Sequence, residues 1–262
     1  MHAMTLALVG ATGGAGTTRT AVELAALGAR DGRDVAVIDA AFTTQGLSEY
    51  VAGRIDTDCT SLVTDDTGAS LSAATYPISI DTDNQTSDDS RADLPGRVDA
   101  IPARAPFERL ARAKTAEAAQ KLEGRIDEAS TAYDAVIIDT APVGSNEAVG
   151  AVTAADRVEA VYQASEHGTD ALQRLRGRIA DIGGSVDGSM RVARNSDTRS
   201  ASDGNDAEIV LPRTDPAVAS APIAATGSGA YTQAVADAYA SAFDTSVGLE
   251  FDDAGVIERL RS

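Results

Sequence analysis

The most constraining feature of this chain is a junction near its start. The apolar run Thr5–Gly10 (TLALVG) passes through the glycine-rich stretch Gly10-Ala11-Thr12-Gly13-Gly14-Ala15-Gly16 into a segment with apolar residues at helical spacing, Val22, Leu24, Ala25 and Leu27. Strand, glycine loop and helix in that order open a parallel crossover, because glycine permits the backbone angles that so sharp a turn requires. Gly32 breaks the helix, and Val35-Ala36-Val37-Ile38 reads as a second buried strand closed by Asp39. The same pattern returns at Ala135-Val136-Ile137-Ile138, closed by Asp139-Thr140-Ala141-Pro142.

The remaining elements continue the alternation. Residues 64–96 are rich in Asp, Ser and Thr, and much of this stretch reads as a mobile surface insertion. A strand follows over Arg97–Pro102 and a long helix over Pro106–Ala129. After a helix from Asn146 come a strand at Arg157–Tyr162, a helix at Thr169–Ile182 and a weaker strand at Val186–Ala193. The polar segment Ser196–Ala207 reads as a loop, Glu208–Leu211 as a short strand, and Tyr231–Phe243 as the closing helix. This order predicts an α/β fold: a doubly wound, mostly parallel sheet with helices on both faces, in one domain over 1–246, then a tail over 247–262.

Composition limits the functional classes. With 43% apolar residues the chain can bury a real core, and it has no run of 18 apolar residues. These features, with no basic segment before the first apolar stretch, predict a cytoplasmic protein. Cys59 stands alone, and His2 and His167 are too scattered to build a metal site. The 28 Asp and 12 Glu outnumber 20 Arg and 2 Lys, for a net charge of −18. Such a surface repels nucleic acid and anionic lipid, but it also suits a halophilic source, where salt screens the repulsion. DNA binding is therefore not evident, and Arg174, Arg176 and Arg178 read as a solvated face. The tail carries Phe251, Val256, Ile257 and Leu260 among both charge signs, and reads as packed on its own domain rather than as a membrane anchor.

Ligands of open parallel sheets sit beyond the carboxyl ends of the strands. Gly13, Gly14, Ala15, Gly16, Thr17 and Thr18 fall there and offer backbone N–H groups and a helix N-terminus to an anion. The Thr18 hydroxyl stands where a phosphate loop supplies a ligand to Mg²⁺, and Asp39 and Asp139 would point into the same crevice.

These residues resemble the ParA/MinD family of deviant P-loop ATPases. The frame Thr12-Gly13-Gly14-Ala15-Gly16-Thr17-Thr18-Arg19 is similar to the family's Lys-Gly-Gly-x-Gly-Lys-Thr-Thr loop, VAVIDA to its second strand, and YDAVIIDTAP and ADRV to its later motifs. The resemblance covers most of the chain. It implies ATP or ADP with Mg²⁺ on Thr18, Asp39 and Asp139, and a homodimer or a heterodimer with a related ATPase. It also implies an adenine contact from Asn195 and a base-flanking loop at Leu211-Pro212-Arg213-Thr214-Asp215.

The resemblance fails at three positions. Thr12 and Thr17 stand where the family has lysines, one reaching a dimer partner's nucleotide and one holding the β- and γ-phosphates. The family's Asp-x-Asp reads Asp39-Ala40-Ala41, which removes the carboxylate that positions the attacking water. Loss of one charge-assisted hydrogen bond weakens binding by roughly ten- to a hundredfold. Arg19 is one candidate for a replacement cation, although as part of the first helical turn it would equally well face solvent. The lysine-free loop most resembles that of the TadZ/CpaE pilus-localisation branch. Three functions follow as alternatives: a nucleotide-binding positioning or regulatory factor with little hydrolysis, in which Asp39 is the one candidate catalytic residue; an active ATPase switching between monomer and dimer; or an amidotransferase-like synthetase. The last requires a phosphate lysine and substrate residues that the sequence does not show.

Overall fold

The computed structural model describes residues 2–65, 68–80, 94–193 and 208–251. The strands are β1 (Met4–Gly10), β2 (Val35–Asp39), β3 (Tyr76–Pro77), β4 (Val98–Ile101), β5 (Ala135–Thr140), β6 (Arg157–Gln163), β7 (Gly188–Val192) and β8 (Glu208–Leu211). They form one sheet in the order β3-β4-β2-β5-β1-β6-β7-β8. Every pairing is parallel except that of β3 with β4 at the edge. The helices are α1 (Thr17–Arg30), α2 (Cys59–Thr64), α3 (Phe107–Ala113), α4 (Ala116–Ala132), α5 (Asn146–Ala154), α6 (Glu166–Asp181) and α7 (Ala230–Ala242).

The period-two alternation of each strand divides the core. Leu6, Leu8, Val35, Val37 and Ile137 face a layer that holds Leu24 and Leu27 of α1 and Tyr239 of α7. Ile38, Val136 and Ile138 turn to the opposite layer with Leu122 and Ile126 of α4. On that same side of β1, Ala7 and Val9 meet Leu172, Leu175 and Ile179 of α6. Helices therefore cover both faces, as the alternation of strands and helices predicts. The central strands are buried along almost their whole length, Met4 alone being partly buried in these three, so their apolar runs are nearly continuous.

Two expectations are revised. The helix expected over Pro106–Ala129 is two helices: Lys114 ends α3, and Thr115 caps α4 by accepting the Ala118 N–H at 3.2 Å. The stretch read as a mobile insertion is packed where it is described. Leu71, Ala74, Ile78 and Ile80 are buried, Val51 and Ile78 form an antiparallel bridge, and β3 extends the sheet. These apolar residues are too few and too widely spaced to show a period, so only their long-range partners reveal the packing. Residues 81–93, the polar loop Ser196–Ala207 and most of the tail lie outside the described residues. Val247, Leu249 and Phe251 pack against the α1/α7 layer, and Arg30 lies over the Phe251 ring at 5.6 Å. No helix among the described residues is long and apolar enough to cross a membrane.

Candidate functional site

The glycine loop leaves β1 at the centre of the sheet and enters α1 without a side-chain cap. Gly14 and Gly16 have positive φ, 72° and 95°, which a side chain would resist. Gly16 occupies the cap position and can offer no side-chain oxygen to the first turn. Among the described residues the N–H groups of Gly13, Gly14, Gly16, Thr17 and Thr18 donate to no protein acceptor. Converging free amides at the positive end of a helix make an anion site. The loop is held open from behind: Ala11 N donates to Val161 O at 2.8 Å, Ala15 N to Thr12 O at 3.3 Å, and Gln163 Nε2 to Gly14 O at 2.7 Å.

Thr17 fills the inner-lysine position differently from a lysine. A β-carbon on Gly10 would lie 2.6 Å from Thr17 Oγ1, so this hydroxyl packs back over the end of β1. A cavity of about 280 Å³ opens over the loop, lined by Thr12 to Arg19, Ala41, Thr44, Gly46 and Asp139 to Pro142.

The two strand-end aspartates sit in register on β2 and β5 but face different surroundings. Asp139 lines the cavity, accepts the Thr18 hydroxyl on Oδ2 at 2.6 Å, and keeps Oδ1 buried with no partner among the described residues. Burial pushes its carboxyl up to about 6, partly offset by the Thr18 hydrogen bond. Asp39 is fully buried and does not line the cavity. Its Oδ1 accepts Ala41 N at 2.9 Å and its Oδ2 accepts Ala103 N at 3.3 Å. Burial, and then the neighbouring Asp139 charge, raise the Asp39 carboxyl well above its ordinary value. The expectation that both aspartates point into one crevice is therefore corrected, because backbone amides after β2 and β4 turn Asp39 inward. Asp39 ties the strand-end loops together.

A divalent cation suits what remains. A hard cation takes oxygen ligands, and an unpartnered carboxylate oxygen beside a hydroxyl offers two of them. No cluster of three His, Cys, Asp or Glu side chains occurs among the described residues, so phosphate oxygens and water would complete such a shell.

A second cavity of about 290 Å³ adjoins the first through Gly16 and Arg19. Its walls include Val192 and Ala193 at the end of β7, Leu211 to Pro216 after β8, and Tyr231 of α7. Pro212 is thus placed beside the loop, while Asn195 lies outside the described residues. Arg19 lines both cavities, but its guanidinium is directed neither at solvent nor at the glycine loop. Its Nε donates to buried Glu23 at 2.7 Å, and its Nη1 to Asp215 O at 3.1 Å and Ala217 O at 3.2 Å. Glu23 also accepts Ile223 N at 3.0 Å and Ala224 N at 2.8 Å. The pair straps α1 to the segment that walls the second cavity. The Arg19–Glu23 pair has the i,i+4 spacing of a local helix pair, but the backbone groups that Glu23 and Gln163 bind lie more than a hundred positions away, so the sequence does not single them out.

A glycine loop between the first central strand and an uncapped helix, with a carboxylate at the adjacent strand end, defines an α/β domain of the P-loop class. A family model described as an AAA domain matches residues 3–192. The chain belongs to that family, and its structural neighbours are ATPases of the ParA and MinD kind. A ParA family ATPase from Chlorobium tepidum superposes with a TM-score of 0.67 at 16% identity, over 90% of this chain and 98% of that one. MinD from Pyrococcus horikoshii, complexed with Mg-ADP, gives 0.62 at 17% identity, over 99% of each chain. Cobyrinic acid a,c-diamide synthase from Mycobacterium smegmatis, with a bound ATP analogue and magnesium, gives 0.59 at 18% identity, over 81% and 85%. At these identities the likeness is one of fold. No curated protein matches the sequence.

Proposed function

We propose that the protein binds ATP or ADP with Mg²⁺ and acts as a positioning or regulatory factor of the ParA/MinD kind, with slow or absent hydrolysis. The observation that carries this reading is the set of free amides at Gly13, Gly14, Gly16, Thr17 and Thr18 beside the unpartnered Asp139 Oδ1, in a loop that contains no lysine. Amides and a metal ion hold phosphates. Rapid phosphoryl transfer also needs placed positive charge and an oriented water, and Thr12, Thr17 and Ala41 supply neither. In this reading Thr18 and Asp139 hold the ion, and the cavity at Pro212 takes the base. The Mg-ADP complex of the Pyrococcus protein supports the choice of ligand by analogy.

The lysine-free loop favours a TadZ/CpaE-like member that functions as a homodimer, or paired with a related ATPase. The net charge of −18 favours a halophilic source. Calorimetric titration with ATP and ADP in Mg²⁺, paired with phosphate release in high salt, tests the reading. Binding without appreciable turnover is expected. Turnover typical of the family, lost in Asp139→Ala, would instead establish the second reading, an active ATPase, which the Thr18–Asp139 pair favours.

A further inference from the structure

Of the 22 basic residues only Lys114 and Lys121 are lysines. Lys121 pairs with Glu117 one turn earlier on α4, at 3.2 Å. Lys114 instead donates from Nζ to the Thr43 hydroxyl at 2.6 Å, with no carboxylate in ion-pair range among the described residues. Its ammonium is thus held by a neutral hydroxyl, a partner that a more strongly charged acceptor can displace.

Its position comes from the break between α3 and α4. Lys114 ends α3, and its carbonyl accepts Asn146 Nδ2 at 2.9 Å, which ties it to the start of α5 beyond the Thr140–Pro142 wall of the phosphate-loop cavity. Thr43 lies in the loop after β2, and the next residue, Thr44, lines that cavity with Ala41 and Gly46. Thr44 N and Gln45 N both donate to Ala41 O, at 2.9 and 3.0 Å, so this loop is ordered by its own backbone. The ammonium therefore lies on the loop after β2, one residue along the chain from the cavity-lining Thr44, while the Lys114 backbone is tied to the start of α5. The second cavity joins the first at Gly16 and Arg19 and does not include Ala41 or Thr44. A nucleotide with its base in the second cavity would enter the first at Gly16 and Arg19 and carry its phosphates among walls that include Ala41, Thr44 and Gly46.

We infer that Lys114 supplies the positive charge the loop lacks at Thr12 and Thr17, by exchanging the Thr43 hydroxyl for an oxygen of the terminal phosphate of a bound nucleoside triphosphate, an inference that rests on the nucleotide-binding reading above. The exchange is favourable because a hydrogen bond between two charged groups is shorter and stronger than one to a neutral hydroxyl, and the lysine stem is flexible enough to make it.

Titrating the full chain with ATP and with ADP in Mg²⁺, for wild type, Lys114→Ala and Lys114→Arg, tests this. Lys114→Ala is expected to weaken ATP about tenfold and ADP less than about twofold, with Lys114→Arg close to wild type and the difference shrinking as salt rises. Equal ATP affinity in wild type and Lys114→Ala overturns the inference and leaves nucleotide binding standing. An equal loss for ATP and ADP, accompanied by a lower melting temperature, also overturns it and assigns Lys114 a purely structural part at the α3–α4 junction. If wild type binds neither nucleotide, the reading itself fails and the inference falls with it.

Discussion

Glu23→Ala tests whether the two cavities are held together as described. Glu23 is fully buried and accepts three donors: Arg19 Nε at 2.7 Å, Ile223 N at 3.0 Å and Ala224 N at 2.8 Å. Each hydrogen bond to a charged group contributes about 1.5–3 kcal/mol, but bonds sharing one carboxylate do not add. Truncation leaves an uncompensated guanidinium and two amides in the interior, a change that costs about 3–5 kcal/mol where buried pairs are broken. Against a total stability of about 5–15 kcal/mol this is a large share. With an m-value of about 3 kcal/mol/M in urea, the unfolding midpoint falls by about 1–1.7 M at unchanged slope. Equilibrium unfolding at fixed salt measures it, and a cycle with Arg19→Ala should return a coupling of about 1–3 kcal/mol. A midpoint within about 0.3 M of wild type, or a coupling under about 0.5 kcal/mol, would refute the role given to the pair. Nucleotide affinity should fall in parallel, since the strap positions the Pro212 wall.

Three further outcomes are expected. Gly28→Ala in α1 places a β-carbon 2.8 Å from both Tyr239 Oη and Val35 Cγ2, so it should lower the melting temperature by about 3–10 °C despite the better helix former; an equal or higher value contradicts the packing. Burial pushes the Glu159 carboxyl up to about 7, with Arg157 lowering it and Asp187 raising it. The fold thus favours the neutral acid: this contribution is full below the ordinary value of 4.5 and is lost as pH rises through about 7. Glu159→Gln should therefore be about 2–3 kcal/mol more stable than wild type at pH 8 and equal near pH 4, and a pH-independent difference would rule this out. Burial raises the Cys59 thiol well above its usual range, followed by Asp39 and Asp58, so maleimide should label it only after unfolding; native labelling at the unfolded rate would contradict its enclosure.

How much of this was legible in advance depended on how local each cause is. The β1-loop-α1 junction, the strands closed by Asp39 and Asp139, and the α/β class follow from apolar runs, glycine and helical spacing, which act within a few residues. The missing lysines were equally plain, because identity at a fixed offset is a property of sequence alone. By contrast, the α3–α4 break turns on the Thr115 cap, and the packing of residues 68–80 on a few apolar side chains without a period. Asp39 and Asp139 look alike as strand-closing residues, yet the amides of Ala41 and Ala103 turn one inward while Thr18 keeps the other at the cavity.

The sequence by itself thus determined the class of fold, the position of an anion-binding loop and its lack of a lysine, since each depends on neighbours in the chain. Only the tertiary structure decided the order of the strands, the docking of Arg19 on the Asp215 and Ala217 carbonyls, and the placement of Lys114 at Thr43. Those depend on contacts between residues far apart in the chain, up to about two hundred positions, where local pattern carries no information about which partner a side chain will meet.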